Sequence, residues 1–136
     1  MKLDHVGVAV ASLEQARRFY EDLGLVCRGE EIVEDQKVRA AFFQLGETRV
    51  ELLESTDPEG PIGRFLSKRG PGLHHLCLEV EDLAAALHIL KTKGYALIDE
   101  APRVGAGGRR VAFVHPKASG GVLLELSEGP KAREGR

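Results

Sequence analysis

Four side chains carry the chemistry available to this sequence: His5 in LDHVGVAV, Glu51 in RVELLE, His75 in GLHHLCLEV and Glu125 in VLLEL. Two imidazoles and two carboxylates are the ligand set of a borderline divalent cation such as Zn, Co, Ni, Mn or Fe(II). Protein groups at four corners of an octahedron leave two cis positions for a bidentate substrate or two waters. Either His taken alone reads better as a packed, hydrogen-bonded side chain. For the four together, the competing reading is an ion-pair cluster of two imidazolium and two carboxylate groups. A repeat that places each His and each Glu independently favours the metal. Sliding residues 3–25 by 70 onto 73–95 pairs Leu3 with Leu73, His5 with His75, Val10 with Val80, Leu13 with Leu83, Ala16 with Ala86 and Gly24 with Gly94. Farther on, Ala41-Phe42 meets Ala112-Phe113, and Val50-Glu51-Leu52 meets Leu124-Glu125-Leu126.

The elements that must position these groups follow from periodicity. In the first strand, Leu3 to Val10, the apolar set Val6, Val8 and Val10 shares one face and His5, Gly7 and Ala9 share the other. In Gly72 to Val80, Leu76, Leu78 and Val80 oppose His75, Cys77 and Glu79. Glu51 lies opposite Val50 and Leu52, and Glu125 opposite Leu124 and Leu126. The apolar faces belong under helices, so the four polar groups belong on the opposite, concave faces. Two curved sheets side by side would bring them to one spot. His74, by the same parity, belongs to the helix-packed side.

Taken in order, the first strand is followed by a helix with Ser12 as N-cap and Gly24 as terminator. Strands are expected over Cys27 to Glu34, Lys37 to Leu45 and Arg49 to Glu54, the last two joined by a tight Gly46-Glu47 turn. Asp57 to Gly72 is a linker holding one short helix, Ile62 to Lys68. The second copy then runs through the strand of His75, a helix capped by Asp82 and ended by Gly94, and a short strand Tyr95 to Glu100. A Gly-rich loop from Pro102 to Arg109 and strands Val111 to His115 and Val122 to Leu126 complete it. The fold class is α+β: two tandem β-α-β-β-β modules forming a curved mixed-sheet cup. Module one covers about residues 1–56, the linker 57–71, module two 72–128 and a polar tail 129–136, within a single domain of 136 residues.

Composition narrows the function. A hydrophobic content of 43% with 29% charged residues is that of a globular protein with a real core. A net charge of −2 gives no case for nucleic acid or an anionic membrane surface. No apolar run approaches a membrane span, and MKLDHVGVAV enters a strand pattern directly, so the cytoplasm is the expected location. Cys27 and Cys77 are too few and isolated for a disulfide framework or a zinc knuckle. PRVGAGGRR lacks the strand-then-helix setting of a dinucleotide fingerprint. Its functional reading is a flap that approaches a substrate with its backbone; the plainer one is a mobile turn carrying Arg109 and Arg110. His115-Pro116-Lys117 ends a strand in a turn and could present a cation to a carboxylate or phosphate.

The segments LDHVGVAV, VELLE followed by PIGRFL, GPGLHHLCLEVEDL, LIDEAPRVGAGGRRVAF and HPKASGGVLLEL resemble the vicinal oxygen chelate superfamily, and within it the methylmalonyl-CoA epimerases. The resemblance covers nearly the whole chain. It implies paired β-α-β-β-β modules, a metal cup, a homodimer, and metal ligation by His5, Glu51, His75 and Glu125. The divalent ion implied is one per subunit: Co, Mn, Zn or Ni. The implied reaction interconverts (2R)- and (2S)-methylmalonyl-CoA by α-proton removal through a metal-stabilised enolate. Glu125 and Glu51 are then the expected pair of bases, Gly105, Ala106, Gly107 and Gly108 lie over the acyl-CoA, and Lys117 meets its carboxylate or phosphates. Some epimerases carry Gln where this chain has Glu51. Some have a carboxylate, proposed as a base, where it has Ala40, so no base carries over to that position.

Three rivals share the architecture. A glyoxalase I-like lyase acting on a hemithioacetal can use an identical ligand set. A ring-cleaving dioxygenase typically uses two His and one carboxylate, and the fourth ligand speaks against it. An antibiotic-sequestering binding protein of the same fold generally lacks a full metal set.

Overall fold

The computed structural model describes residues 1–105 and 108–130. In order, the elements are β1 (Lys2–Ala9), α1 (Leu13–Leu23), β2 (Cys27–Val33), β3 (Val38–Leu45), β4 (Thr48–Ser55), α2 (Pro61–Arg69), β5 (Gly72–Val80), α3 (Leu83–Thr92), β6 (Arg103–Val104), β7 (Arg110–Val114) and β8 (Leu123–Glu128). The chain divides into two compact units. One is His5–His75; the other joins Met1–Asp4 to the chain from Leu76 onward.

The first unit is a four-stranded mixed sheet in the order β2-β3-β4-β1. β3 runs antiparallel to β2 and β4, while β1 lies parallel to β4 with Val6 opposite Val50 and Gly7 opposite Glu51. The period-two expectation holds here. Val10, Ala41, Phe43 and Leu52, with Val8 and Val50, pack beneath Leu13, Ala16 and Tyr20 of α1. The opposite face carries Ala9, Val38, Ala40 and Leu53 beneath Ile62, Phe65 and Leu66 of α2. α1 begins where Ser12 Oγ accepts from the Gln15 N–H at 3.2 Å, and ends at Gly24, whose φ of 114° a side chain would resist.

The second unit takes its strands in the order β5-β8-β7-β6, with β7 antiparallel to both β8 and β6. Val80, Ala112, Val114 and Leu126 pack against Leu83 and Leu87 of α3. One expected strand is displaced. Tyr95 to Glu100 forms no ladder, only a bridge between Leu97 and Val114, and the short strand β6 lies inside the stretch read as a Gly-rich loop. The cause is local. The N–H groups of Ile98 and Asp99 both donate to the Phe113 carbonyl, and the Asp99 carboxylate accepts the Phe113 N–H at 2.8 Å. A side chain takes the hydrogen bond that a neighbouring strand would have made, so the ladder stops.

Candidate metal centre

His5 and His75 come together inside the first unit, which includes the opening residues of β5. Their Nε2 atoms are 3.1 Å apart, both side chains are buried, and the rings meet edge to face. Two nitrogens each about 2.05 Å from one ion would be about 2.9 Å apart at a right angle and about 3.4 Å at the tetrahedral angle. The observed spacing lies between those values, so the pair fits two adjacent corners of a coordination sphere.

The other nitrogen of each ring is engaged elsewhere. His75 Nδ1 lies 3.0 Å from His74 Nδ1, and the His74 ring packs edge-on against Phe65 of α2 at 5.0 Å between centroids. His74 was expected simply on a helix-packed side. The helix it meets is α2, and it also bonds its neighbour. Burial lowers its pKa, which favours the neutral ring needed for an N–H···N bond. On the His5 side, Nδ1 lies 3.5 Å from Glu51 Oε2 and 3.4 Å from Arg49 Nη2, and Arg49 donates to Glu51 at 2.8 Å. Metal-binding His residues characteristically donate the second ring N–H to an acceptor such as a carboxylate, and on this side of His5 the carboxylate is Glu51.

Three residues gain a role beside this pair that the sequence reading did not give them: His74, Arg49 and Gly7. A Cβ on Gly7 would collide with the His75 ring. The signal was present, since a lone Gly in a Val-rich strand marks close approach by another group. Its counterpart in the repeat is Cys77, so only one copy needed the space.

In the second unit Glu125 is half-buried on β8 and stands opposite Phe113 of β7, as Glu51 stands opposite Phe42. Lys117 is exposed in the turn after β7, its backbone N–H donating to His115 Nδ1 at 3.0 Å. Gly105 and Gly108 belong to the turn closed by Gly105 N–H to Arg109 O at 2.7 Å; Ala106 and Gly107 lie outside the described residues. Arg109 is firmly held. Its guanidinium bonds Asp4 at 3.1 Å, Glu79 at 3.0 Å, Ser127 Oγ at 3.3 Å and the Glu128 carbonyl at 3.3 Å. Burial works against its charge, yet Asp4 and Glu79 outweigh that and raise its pKa. Among the described residues no helix is long and apolar enough to cross a membrane.

The chain is similar to known proteins. A protein of Bacillus subtilis (strain 168) described as uncharacterized protein YqjC is 45% identical, over 93% of this chain and 91% of its own length. The mitochondrial methylmalonyl-CoA epimerase of Bos taurus is 40% identical, over 93% of this chain and 74% of its own. The crystal structure of methylmalonyl-CoA epimerase from Mycobacterium tuberculosis superimposes with a TM-score of 0.85 at 40% identity, covering 98% of this chain and 89% of that one. A family profile matches residues 4–113. With paired His residues at the head of two duplicated β-α units and that match across most of its length, the chain belongs to the glyoxalase/bleomycin resistance protein/dioxygenase superfamily.

Proposed function

We propose that this protein is a methylmalonyl-CoA epimerase, interconverting the (2R) and (2S) forms of an acyl-CoA by moving the proton on the carbon between thioester and carboxylate. The observation that carries the reading is the buried His5–His75 pair, with Nε2 atoms 3.1 Å apart and the Nδ1 atoms turned to other partners. His5, Glu51, His75 and Glu125 would hold one divalent cation; Co, Mn, Zn and Ni all suit nitrogen and carboxylate donors. When bound, that cation is a Lewis acid for negative charge on the substrate's thioester and carboxylate oxygens.

The chain's own groups do the rest. Inversion needs a proton taken from one face and returned on the other, and Glu51 and Glu125 serve as the two groups. A carboxylate committed to a cation is a weakened base, because the cation stabilises its charged form. The two Glu residues therefore divide ligation and proton transfer unequally. Gly105 and Gly108 approach the acyl group with backbone, and Lys117 meets an anionic group of the CoA ester. The protein works as a homodimer in the cytoplasm.

Incubation with (2R)- or (2S)-methylmalonyl-CoA in deuterated water, with metal analysis of the same preparation, tests this. Deuterium entry at the α-carbon from both epimers is the expected outcome. No exchange, with turnover of a methylglyoxal–glutathione hemithioacetal, would transfer the assignment to a glyoxalase I-like lyase. Absence of metal after metal-replete purification would point to a ligand-sequestering protein.

A further inference from the structure

Arg103 is held on two sides and open on a third. It lies on β6 directly opposite Val111 of β7, and Phe113 of β7 stands opposite Glu125 of β8. Residues paired across antiparallel strands share a face, as do residues two apart along one strand. Arg103, Val111, Phe113 and Glu125 therefore line one face of the second unit, while Ala112 and Val114 pack against α3 on the other. The guanidinium carbon of Arg103 lies over the Phe113 ring, 5.2 Å from its centroid, and its Nε is 3.3 Å from Asp99 Oδ2. That same oxygen accepts the Phe113 N–H at 2.8 Å, so one carboxylate anchors both the cation and the strand beneath it. Arg17, Arg39, Arg109 and Arg110 each turn a terminal nitrogen to an acid. Arg103 uses only its Nε, and no acid among the described residues meets its two Nη atoms. The first copy has no such cation: opposite Ala40, the counterpart of Val111, stands Glu31 of β2.

We propose that Arg103 is a specificity-determining residue that binds an oxyanion of the acyl-CoA through its two Nη groups. This rests on the epimerase reading above. Two coplanar N–H donors match two oxygens of a carboxylate or a phosphate. Stacking on Phe113 and the hold of Asp99 set the plane of the fork before a ligand arrives, so little side-chain freedom is lost on binding. The fork shares the face of Glu125, and the turn beside it brings backbone over the same face. A Cβ on Gly105 would lie 2.8 Å from Val111 Cγ2, so that approach admits no side chain. An acyl-CoA of this class offers the required chemistry twice, at the free carboxylate next to the α-carbon and at the CoA phosphates.

The test measures α-proton exchange on methylmalonyl-CoA and on methylmalonyl-pantetheine, which keeps the carboxylate and lacks the CoA phosphates. It compares the whole chain with Arg103→Met and Arg103→Lys. Loss of a charge-assisted bidentate contact should raise KM for methylmalonyl-CoA about tenfold to a hundredfold in Arg103→Met. Arg103→Lys keeps the charge but loses the planar fork; a smaller rise is expected, and this variant covers the case in which the Met variant folds poorly. An equal rise on methylmalonyl-pantetheine places the acyl carboxylate in the fork, and a rise confined to methylmalonyl-CoA places a phosphate there. Unchanged KM on both thioesters, whether or not kcat falls, overturns the role of Arg103 alone, since a binding contact must show in KM. Absence of exchange by the unsubstituted chain overturns the epimerase reading and this proposal with it.

Discussion

The two halves of the repeat match where they are covered alike and differ where they are not. In the first unit Ala9, Val38 and Leu53 form an apolar floor under α2. The repeat aligns these three with Glu79, Arg109 and Ser127, and in the second unit those are bonded to one another. One backbone plan therefore carries an oily patch in one copy and an ion network in the other. The cause is the second helix: α2 dehydrates its floor, and charged groups there would lose water without a partner. Among the described residues the second unit has only α3, on the other face of its sheet. The comparison teaches that burial by a neighbouring element, rather than the strand pattern, decided these side chains.

Other features survived duplication intact. The N–H of Leu13, first in α1, donates to Glu54 at 3.0 Å, and that of Leu83, first in α3, donates to Glu128 at 2.9 Å. An Arg from the adjacent strand supports each carboxylate, Arg39 at 3.9 Å from Glu54 and Arg110 at 3.3 Å from Glu128. Carboxylates at helix N-termini satisfy unpaired donors and meet the positive end of the helix dipole. Both copies also pair a Phe with the site Glu across a strand, Phe42 with Glu51 and Phe113 with Glu125.

The comparison can be broken most severely at the shared site. His75→Ala should abolish divalent metal uptake and slow α-proton exchange about 10³-fold or more, since several kcal/mol of charge stabilisation is lost; metal analysis and exchange in deuterated water check this. Swapping the floors comes next. Ala9→Glu puts an unpartnered carboxylate under α2, and Arg109→Met takes the guanidinium away from Asp4 and Glu79. Each should cost about 3 kcal/mol in urea unfolding, with the partly exposed Arg109 at the lower end. His74→Ala removes the outer partner of His75 alone and should weaken metal binding about 10-fold to 100-fold, measured by chelator competition, with little effect on stability.

Smaller effects sharpen the parallel. Glu54→Gln and Glu128→Gln should each cost about 1 kcal/mol in urea unfolding, more for Glu128 with its closer Arg. The least effect concerns pH. The Arg17 hydrogen bond lowers the Glu30 pKa, partial burial opposes it, and Arg39 lowers it further. Its contribution is therefore present above the unfolded carboxylate value of about 4.3 and fades as pH falls through the lower folded value. Glu30→Gln should flatten the acid limb of a stability–pH curve by a few tenths of a kcal/mol, as expected of a surface pair.

Much of the plan was legible because the strands obey period two. Val8 and Val10 went under α1, and His5 and Glu51 took the other face, as alternation required. The displaced strand at Tyr95 to Glu100 was not legible, because the Asp99 side chain competes with the ladder for the Phe113 N–H. Nor was the hold on Arg109, which depends on Asp4, Glu79 and Ser127, far away in sequence.

The sequence by itself determined the duplication, the sheet face of each candidate ligand and the helix boundaries, since these follow from local periodicity and caps. Only the tertiary structure decided which nitrogen of His5 faces His75 and which faces Glu51. It alone gave His74 and Arg49 their places beside the ligands and reserved the space over Gly7 for an imidazole. Side-chain direction along one strand is a short-range property. The partner each side chain finds is set by neighbours brought in from distant parts of the chain.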